Sequence, residues 1–367
     1  MVSVKVVNTS KKFDGKKILD DVTFEVKDGS FTSILGPVGA GKTTLLRIIA
    51  GVESPDSGSV YFGGKDVTMM PARERNVAMV YQTFALYPHM RVFDNIVSPL
   101  AIRGVSKVEI EKRVKEVADL LKISHLLSRY PRELSGGEAQ RVAIARALIK
   151  RADVYLFDEP LTNLDYKIRE SMRGELRRIF RELGGTIIYA ASDPLDTFTM
   201  AQYVVILHKG RVLQTGTVED VYLNPKNMDV SRILARPPMN LIDAELKISG
   251  DRYILDVRGI EIDVSHLKDL LKEEEYVVGV RPEHLFFPTG DEKDVISFPS
   301  TVIVTEIEGS ESIIHLDWKG YKLMMYYPYI RRLAPGEHLV VNVKLKDLYI
   351  FSKKSGELIA RYSREVV

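Results

Sequence analysis

The chain has 367 residues, 45% hydrophobic and 28% charged, which excludes a disordered chain and sets a length prior of about two domains. Its formal net charge of +2, from 52 basic and 50 acidic residues, argues against bulk electrostatic binding of nucleic acid. The absence of cysteine excludes disulfides, cysteine-held zinc and thiol catalysis, and no apolar run approaches the roughly 18 residues that span a bilayer. The opening residues, 1–13, alternate apolar and polar, which predicts a strand rather than a secretory signal and so a cytoplasmic chain. Few amides, 8 Asn and 4 Gln, beside dense Lys, Arg and Glu give the composition a thermophilic cast.

Along the chain, Phe31–Leu35 is a short apolar run that meets Gly36 and Pro37, and residues 44–50 read as the start of a helix. Further apolar runs at 154–157, 186–190 and 204–207 alternate with helical stretches such as 107–121 and Tyr166–Leu183. Alternating strands and helices predict a mainly parallel sheet covered on both faces. The pattern changes near 235–240, where Arg236, Pro237 and Pro238 break any helix. Beyond it Ile260, Ile262 and Val264 alternate with polar residues. Turn signals recur at Ser249-Gly250-Asp251, Lys319-Gly320 and Pro335-Gly336. These predict an antiparallel barrel or sandwich. The expected division is therefore an α/β domain over 1–235 and a β domain over 236–367, with no low-complexity segment and no solenoid repeat.

Gly36-Pro37-Val38-Gly39-Ala40-Gly41-Lys42-Thr43 follows an apolar strand and opens a helix that continues with Thr44, the context a phosphate-binding loop requires. Glycines let successive N–H groups curl inward, and the helix N-terminus adds partial positive charge. Lys42 is placed to reach β- and γ-phosphates, and the Thr43 hydroxyl to bind Mg²⁺. A Gly-rich turn that merely starts a helix needs neither Lys42 nor Thr43 in register. A second apolar run ends in Asp158-Glu159. A buried parallel strand carries Asp158 to the sheet edge beside the loop, where it would hold the Mg²⁺ shell through water while Glu159 polarises the attacking water.

Leu134-Ser135-Gly136-Gly137-Glu138, followed by Ala139-Gln140-Arg141-Val142-Ala143, resembles the signature of ATP-binding-cassette ATPases, with Glu138 where the last Gln is usual. Ser135 is a helix cap that presents N–H groups at Gly136 and Gly137. The resemblance implies that this helix end binds the γ-phosphate held by a second subunit, so that two ATP molecules are sandwiched between two cassettes. It implies that Phe13 stacks on adenine, against the alternative of an ordinary core or surface aromatic. It also implies that Gln82 senses Mg²⁺ and water, and that Thr162-Asn163-Leu164-Asp165 couples the two sites. The stretch 84–90 resembles the groove wall that receives a permease's coupling helix, and His89 is read as a contact there rather than a metal ligand. The cassette resemblance covers 2–234, with an antiparallel β subdomain and a helical insertion over about 92–150. In the tail, Pro237-Pro238-Met239-Asn240, Val280-Arg281-Pro282-Glu283-His284 and Val304-Thr305-Glu306-Ile307-Glu308-Gly309-Ser310 resemble the oligonucleotide-binding-type barrel of importer ATPases. That tail is typical of maltose-type carbohydrate importers, with related tails in polyamine, iron and sulfate importers. Its implied role is dimer contact and regulation, not nucleic-acid binding.

One position departs from the resemblance. Where the family has a histidine before Asp, this chain has Ser192-Asp193, and His208 lies too far along to replace it. Losing one positioned donor to a developing anion costs about 10²–10³ in rate. Either Ser192 with a bound water fills the gap, or this chain is the partly degenerate half of a heterodimer with a paralogous ATPase, the reading favoured here because the signature is intact. The resemblance as a whole implies an ATPase using Mg²⁺ with ATP, peripheral at the cytoplasmic membrane face. Its implied partners are two transmembrane permease subunits, a second ATPase and, indirectly, an extracellular solute-binding protein. Sugars or oligosaccharides are the expected cargo. The alternatives are polyamine, glycerol phosphate or an inorganic anion, an ATP-binding regulatory subunit with little turnover, or a soluble cassette acting on nucleic acid or ribosomes.

Overall fold

Residues 2–101 and 104–363 are described by the computed structural model. Two units divide the chain, Met1–Val218 and Glu219–Val367. In the first, β1 (Val4–Phe13) and β2 (Lys16–Val26) pair antiparallel around the Asp14-Gly15 turn. β3 (Phe31–Leu35) leaves this pair and leads into α1 (Lys42–Ala50). β4 (Ser57–Phe62) and β5 (Lys65–Asp66) return to it, giving a four-stranded sheet of order β2-β1-β4-β5. β6 (Val77–Val80) precedes the helical insertion of α2 (Val92–Ala101), α3 (Lys107–Leu120) and α4 (Gly136–Leu148). Then follow β7 (Val154–Asp158), α5 (Tyr166–Leu183), β8 (Thr186–Ala191), α6 (Pro194–Met200), β9 (Tyr203–His208) and β10 (Arg211–Thr217).

β3, β7 and β8 are buried at every position, which is why their sequences show no polar alternation. They lie inside a six-stranded sheet of order β10-β9-β3-β8-β7-β6. Its inner pairs are parallel and only β10 is antiparallel, so the expected mainly parallel sheet is present. Parallel strands end at a common edge, so Leu35, Val80, Asp158 and Ala191 deliver the loops that follow them to one place. Leu45, Leu46, Ile48 and Ile49 of α1 are fully buried in an apolar cluster that takes residues from both sheets. The helix starts at Lys42 rather than Thr44, because Gly41, at φ 104°, is its cap. Lys42 and Thr43 thus occupy the first turn, where backbone N–H groups have no intrahelical partner.

In the second unit, α7 (Val218–Leu223) and α8 (Met228–Ile233) precede β11 (Asn240–Ser249), β12 (Arg252–Val257), β13 (Ile260–Asp263) and β14 (Glu275–Val280). β15 (Val295–Glu308), β16 (Glu311–Trp318), β17 (Tyr321–Tyr327), β18 (His338–Lys344), β19 (Tyr349–Ser352) and β20 (Leu358–Arg361) follow. They form two antiparallel sheets, ordered β13-β12-β11-β14-β19-β20 and β17-β16-β15-β18, that share one apolar core. Period-two burial along β11 and β16 matches the alternation in the sequence. Lys319 and Gly320 both have positive φ, the backbone that a two-residue hairpin turn demands. The second compact unit takes in residues 219–235 ahead of β11. The reason is pairing: the Met228 N–H donates to the Gly356 carbonyl, and the Leu358 N–H to the Lys226 carbonyl. The segment carrying α8 is therefore tied to β20.

Trp318, the only tryptophan, is fully buried in the second unit and packs edge-on against Phe298 at 4.8 Å. Phe298→Ala is expected to lower that unit's stability by about 3–5 kcal/mol. The check is the denaturant midpoint of Trp318 fluorescence, which reports this unit alone.

Candidate active site

The loop after β3 is shaped by close approach. A Cβ on Gly36 would lie 2.0 Å from the Leu207 carbonyl oxygen, so only glycine passes beside β9 here. A Cβ on Gly41 would meet Leu19 at 2.8 Å on a backbone already at positive φ. The chain then turns so that Lys42 folds back over its own loop. Its Nζ donates to the carbonyls of Gly36 at 2.6 Å and Pro37 at 2.9 Å, and lies 3.0 Å from Glu159 Oε1. The Thr43 hydroxyl donates to Asp158 Oδ1 at 3.0 Å, joining the first turn of α1 to the end of β7. Ala40 is buried, whereas Val38 stands out at 88% exposure on the loop's tip.

An open cavity of about 590 Å³ lies over this loop. Val38, Gly39, Gly41, Lys42, Thr43 and Thr44 line it, together with Gln82 and Glu159. Lys16, Lys17 and Lys209 also line it. The motifs do not reveal these three lysines. They sit beside the β1–β2 and β9–β10 turns, which only the fold brings to the loop. A lysine-rich, glycine-lined cavity at a helix N-terminus fits a polyanion such as a phosphate chain. Phe13 is 43% exposed at the end of β1, opposite Lys16 in the ladder, with the Lys11 ammonium 5.2 Å from its ring. It is not among the residues lining this cavity.

The two acids at the end of β7 are in different electrostatic states. Burial raises the Asp158 carboxyl above its usual range, with the Thr43 hydrogen bond opposing and the Glu159 charge adding. Burial acts the same way on Glu159, but the Ser192 hydrogen bond and the Lys42 charge outweigh it and hold that carboxyl below its usual range. The Ser192 hydroxyl donates to Glu159 Oε1 at 2.6 Å, and the Thr162 hydroxyl to Oε2 at 3.1 Å. Glu159 itself has φ 43°, an uncommon backbone for a non-glycine residue at a strand end. Asn163 links this loop to Gln82 by donating to the Gln82 carbonyl at 2.9 Å. After Ser192, Asp193 caps α6 through the Leu195 N–H, and buried Arg173 clamps both Asp193 and Asp196.

The signature residues stand elsewhere in the unit. Ser135, Gly137 and Glu138 line a separate cavity of about 450 Å³, so the fold does not bring them to the chain's own Lys42. The Ser135 hydroxyl accepts the Glu138 N–H, and Glu138 Oε2 accepts the Ser135 N–H at 2.8 Å. This reciprocal box explains a glutamate at 138: its carboxylate closes the cap, and those hydrogen bonds lower its pKa. Gly136 follows at the exposed first turn, and Leu134 is half-buried before it. Asp165 caps α5 by accepting the Ile168 N–H at 3.0 Å. His89 lies beside Tyr87, and no cluster of three or more metal-ligating side chains occurs among the described residues.

A glycine loop, its lysine, a helix N-terminus and two strand-end acids at one edge of a parallel sheet define a P-loop nucleotide-binding cassette. Residues 19–162 match the ABC transporter family model, and 236–285 match the MalK OB fold domain. The chain is 39% identical to an sn-glycerol-3-phosphate import ATP-binding protein, UgpC, of Salmonella typhimurium, over 98% of this chain and 100% of that protein. It is also 39% identical to the trehalose/maltose import ATP-binding protein MalK of Thermococcus litoralis, again over 98% and 100%. Among solved structures, a dimeric bacterial ABC transporter cassette, MJ0796, superposes with TM-score 0.53 at 29% identity, covering 58% of this chain and 98% of that one. The same cassette in a post-hydrolysis state bound to ADP and Pi superposes with TM-score 0.53 at 30% identity, with the same coverage. The chain belongs to the ABC transporter family, as an ATP-binding ATPase subunit with an OB-fold C-terminal domain.

Lys42→Ala removes a buried charged donor from the loop, a loss of about 1.5–3 kcal/mol for a charge-assisted contact. ATP affinity is therefore expected to fall roughly ten- to hundredfold. Titration with a fluorescent ATP analogue measures it, and unchanged affinity would mean that the ammonium does not face the phosphates.

Proposed function

We propose that this chain hydrolyses ATP to drive import of a sugar or a glycerol phosphate, working at the cytoplasmic membrane face against two permease subunits fed by an extracellular solute-binding protein. The observation that carries the chemistry is Glu159, an ionised carboxylate held by Ser192, Thr162 and Lys42 at the mouth of the lysine-rich cavity. ATP phosphates displace its contact with Lys42, whose ammonium turns to the β- and γ-phosphates. Glu159 then takes a proton from a water that attacks the γ-phosphorus. The bond from that phosphorus to the β,γ-bridging oxygen breaks, leaving ADP and phosphate. Phe13, paired in the β1–β2 ladder with the cavity-lining Lys16, stacks on the base.

Thr43 and Asp158 present hard oxygen donors 3.0 Å apart, which suits Mg²⁺, and Gln82 borders the same cavity. Bound there, the ion would supply charge neutralisation at the phosphates. The second half of each site is the Ser135–Gly137 helix end of another cassette, since one chain keeps its own signature apart from its own loop. Along the chain, Asn163 and Asp165 fall between Thr162, which lines the loop's cavity, and Lys167, which lines the signature's. Sugar and glycerol-phosphate cargoes rest on what the full-length relatives are named for. No described helix is long and apolar enough to cross a membrane. The C-terminal unit serves dimer contact and regulation.

Steady-state hydrolysis by the purified chain tests this. Wild type turns over, Glu159→Gln loses about 10²–10⁴ of the rate, and Ser192→Ala loses about tenfold with ATP binding retained. A second reading is favoured by Ser192 itself, whose single hydroxyl hydrogen is spent on Glu159 and leaves no donor for phosphate. Under it the chain pairs with a paralogous ATPase, wild type alone is silent and Ser192→His turns over. Robust wild-type hydrolysis sinks that second reading.

A further inference from the structure

The loop from Gln82 to Met90 leaves the cavity edge and carries two successive non-glycine residues, Phe84 and Ala85, at φ 62° and 51°. Such a pair persists only where neighbours over-determine it. The neighbour here is Arg146 in the last turn of α4. Its Nη2 donates to the Phe84 carbonyl at 2.9 Å and its Nη1 to the Ala85 carbonyl at 2.7 Å. The guanidinium also lies 5.5 Å from the centre of the Tyr87 ring. No ion pair holds it among the described residues, and burial lowers its pKa, so a half-buried charge is spent on this loop. Further along, the buried Asn95 of α2 accepts the Tyr87 N–H and donates to the Tyr87 and Met90 carbonyls.

The other end of α4 is the Ser135–Gly137 turn. The helix is one uninterrupted rod of 13 residues, about 20 Å long. Whatever displaces its first turn displaces Arg146 with it. A planar fork on two adjacent carbonyls passes on a rotation that a single point contact does not. We infer that Arg146 is a positioning residue that converts engagement of the signature helix into a change in the backbone of the 84–90 loop. It touches neither nucleotide nor reacting atoms. This rests on the reading that a second cassette's ATP meets the Ser135–Gly137 turn.

The chain has no cysteine, so one can be placed for labelling. His89→Cys puts an environment-sensitive fluorophore on the exposed loop, in a Glu159→Gln background that keeps ATP bound. ATP is expected to drive dimerisation, read by sedimentation, and to shift the label's emission. Arg146→Lys keeps the charge but not the fork. Its label response is expected to fall by about half or more, with ATP affinity and dimerisation unchanged. Arg146→Gln is expected to abolish the response. If Gln fails to fold, the Lys variant decides alone. A full response in Arg146→Lys overturns the proposal while leaving ATP-driven pairing intact. Dimerisation without any label change in the Arg146 parent does the same. Absence of ATP-driven dimerisation in the parent removes the pairing on which the proposal rests, and the proposal falls with it.

Discussion

Lys42 Nζ sits between the carbonyls of its own loop and the carboxylate of Glu159, while Thr43, the next residue, is bonded to Asp158. These contacts join the loop after β3 to the end of β7 across an intervening strand, since β8 lies between them. They exist because parallel strands finish at a common edge. Each strand contributes one small piece, a loop, an acid pair or a hydroxyl, and the edge assembles them. Burial of β3, β7 and β8 on both faces holds that edge rigid, so the strand ends cannot drift apart.

Charge at this edge is arranged unequally. Asp158 is deeply buried with a hydroxyl as its nearest partner, and burial disfavours its ionised form. Glu159 has three partners, one of them cationic, and stays ionised despite similar surroundings. For the proposed hydrolysis, a carboxylate that accepts a proton must be ionised beforehand, and one beside a divalent cation would become so when the cation arrives. The difference between adjacent acids therefore comes from Ser192, Thr162 and Lys42 and not from the acids. It also gives Ser192 a structural explanation: the short side chain reaches the carboxylate directly.

The fold keeps the signature cap apart from the Lys42 loop, and the two line different cavities. α4 connects the cap at its first turn to the 84–90 loop at its last. Asn163 connects that loop's beginning to the segment after Glu159. Side-chain hydrogen bonds to backbone carbonyls make these connections, and such bonds hold position without committing a charge partner.

Much of this was legible in the amino-acid sequence. The apolar runs, the glycine spacing with Lys42 and Thr43, the acids after 154–157 and the Ser135 cap are local patterns whose physics is local. Period-two alternation in the tail announced antiparallel sheets for the same reason. The tie between the segment carrying α8 and β20 was not legible, because it joins residues far apart in the chain. The lysines at 16, 17 and 209 carry no motif, since turns from different strands bring them to the cavity. The absent histidine at 192 was visible as a departure, but its consequence was not. That Ser192 donates to Glu159, 33 positions away, follows from β7 pairing beside β8 with Asp158 opposite Ala190. Sequence by itself determined which residues form strands, loop and cap, because those depend on near neighbours. Tertiary structure alone decided which side chains meet, because strand order and register set distances that no local pattern encodes.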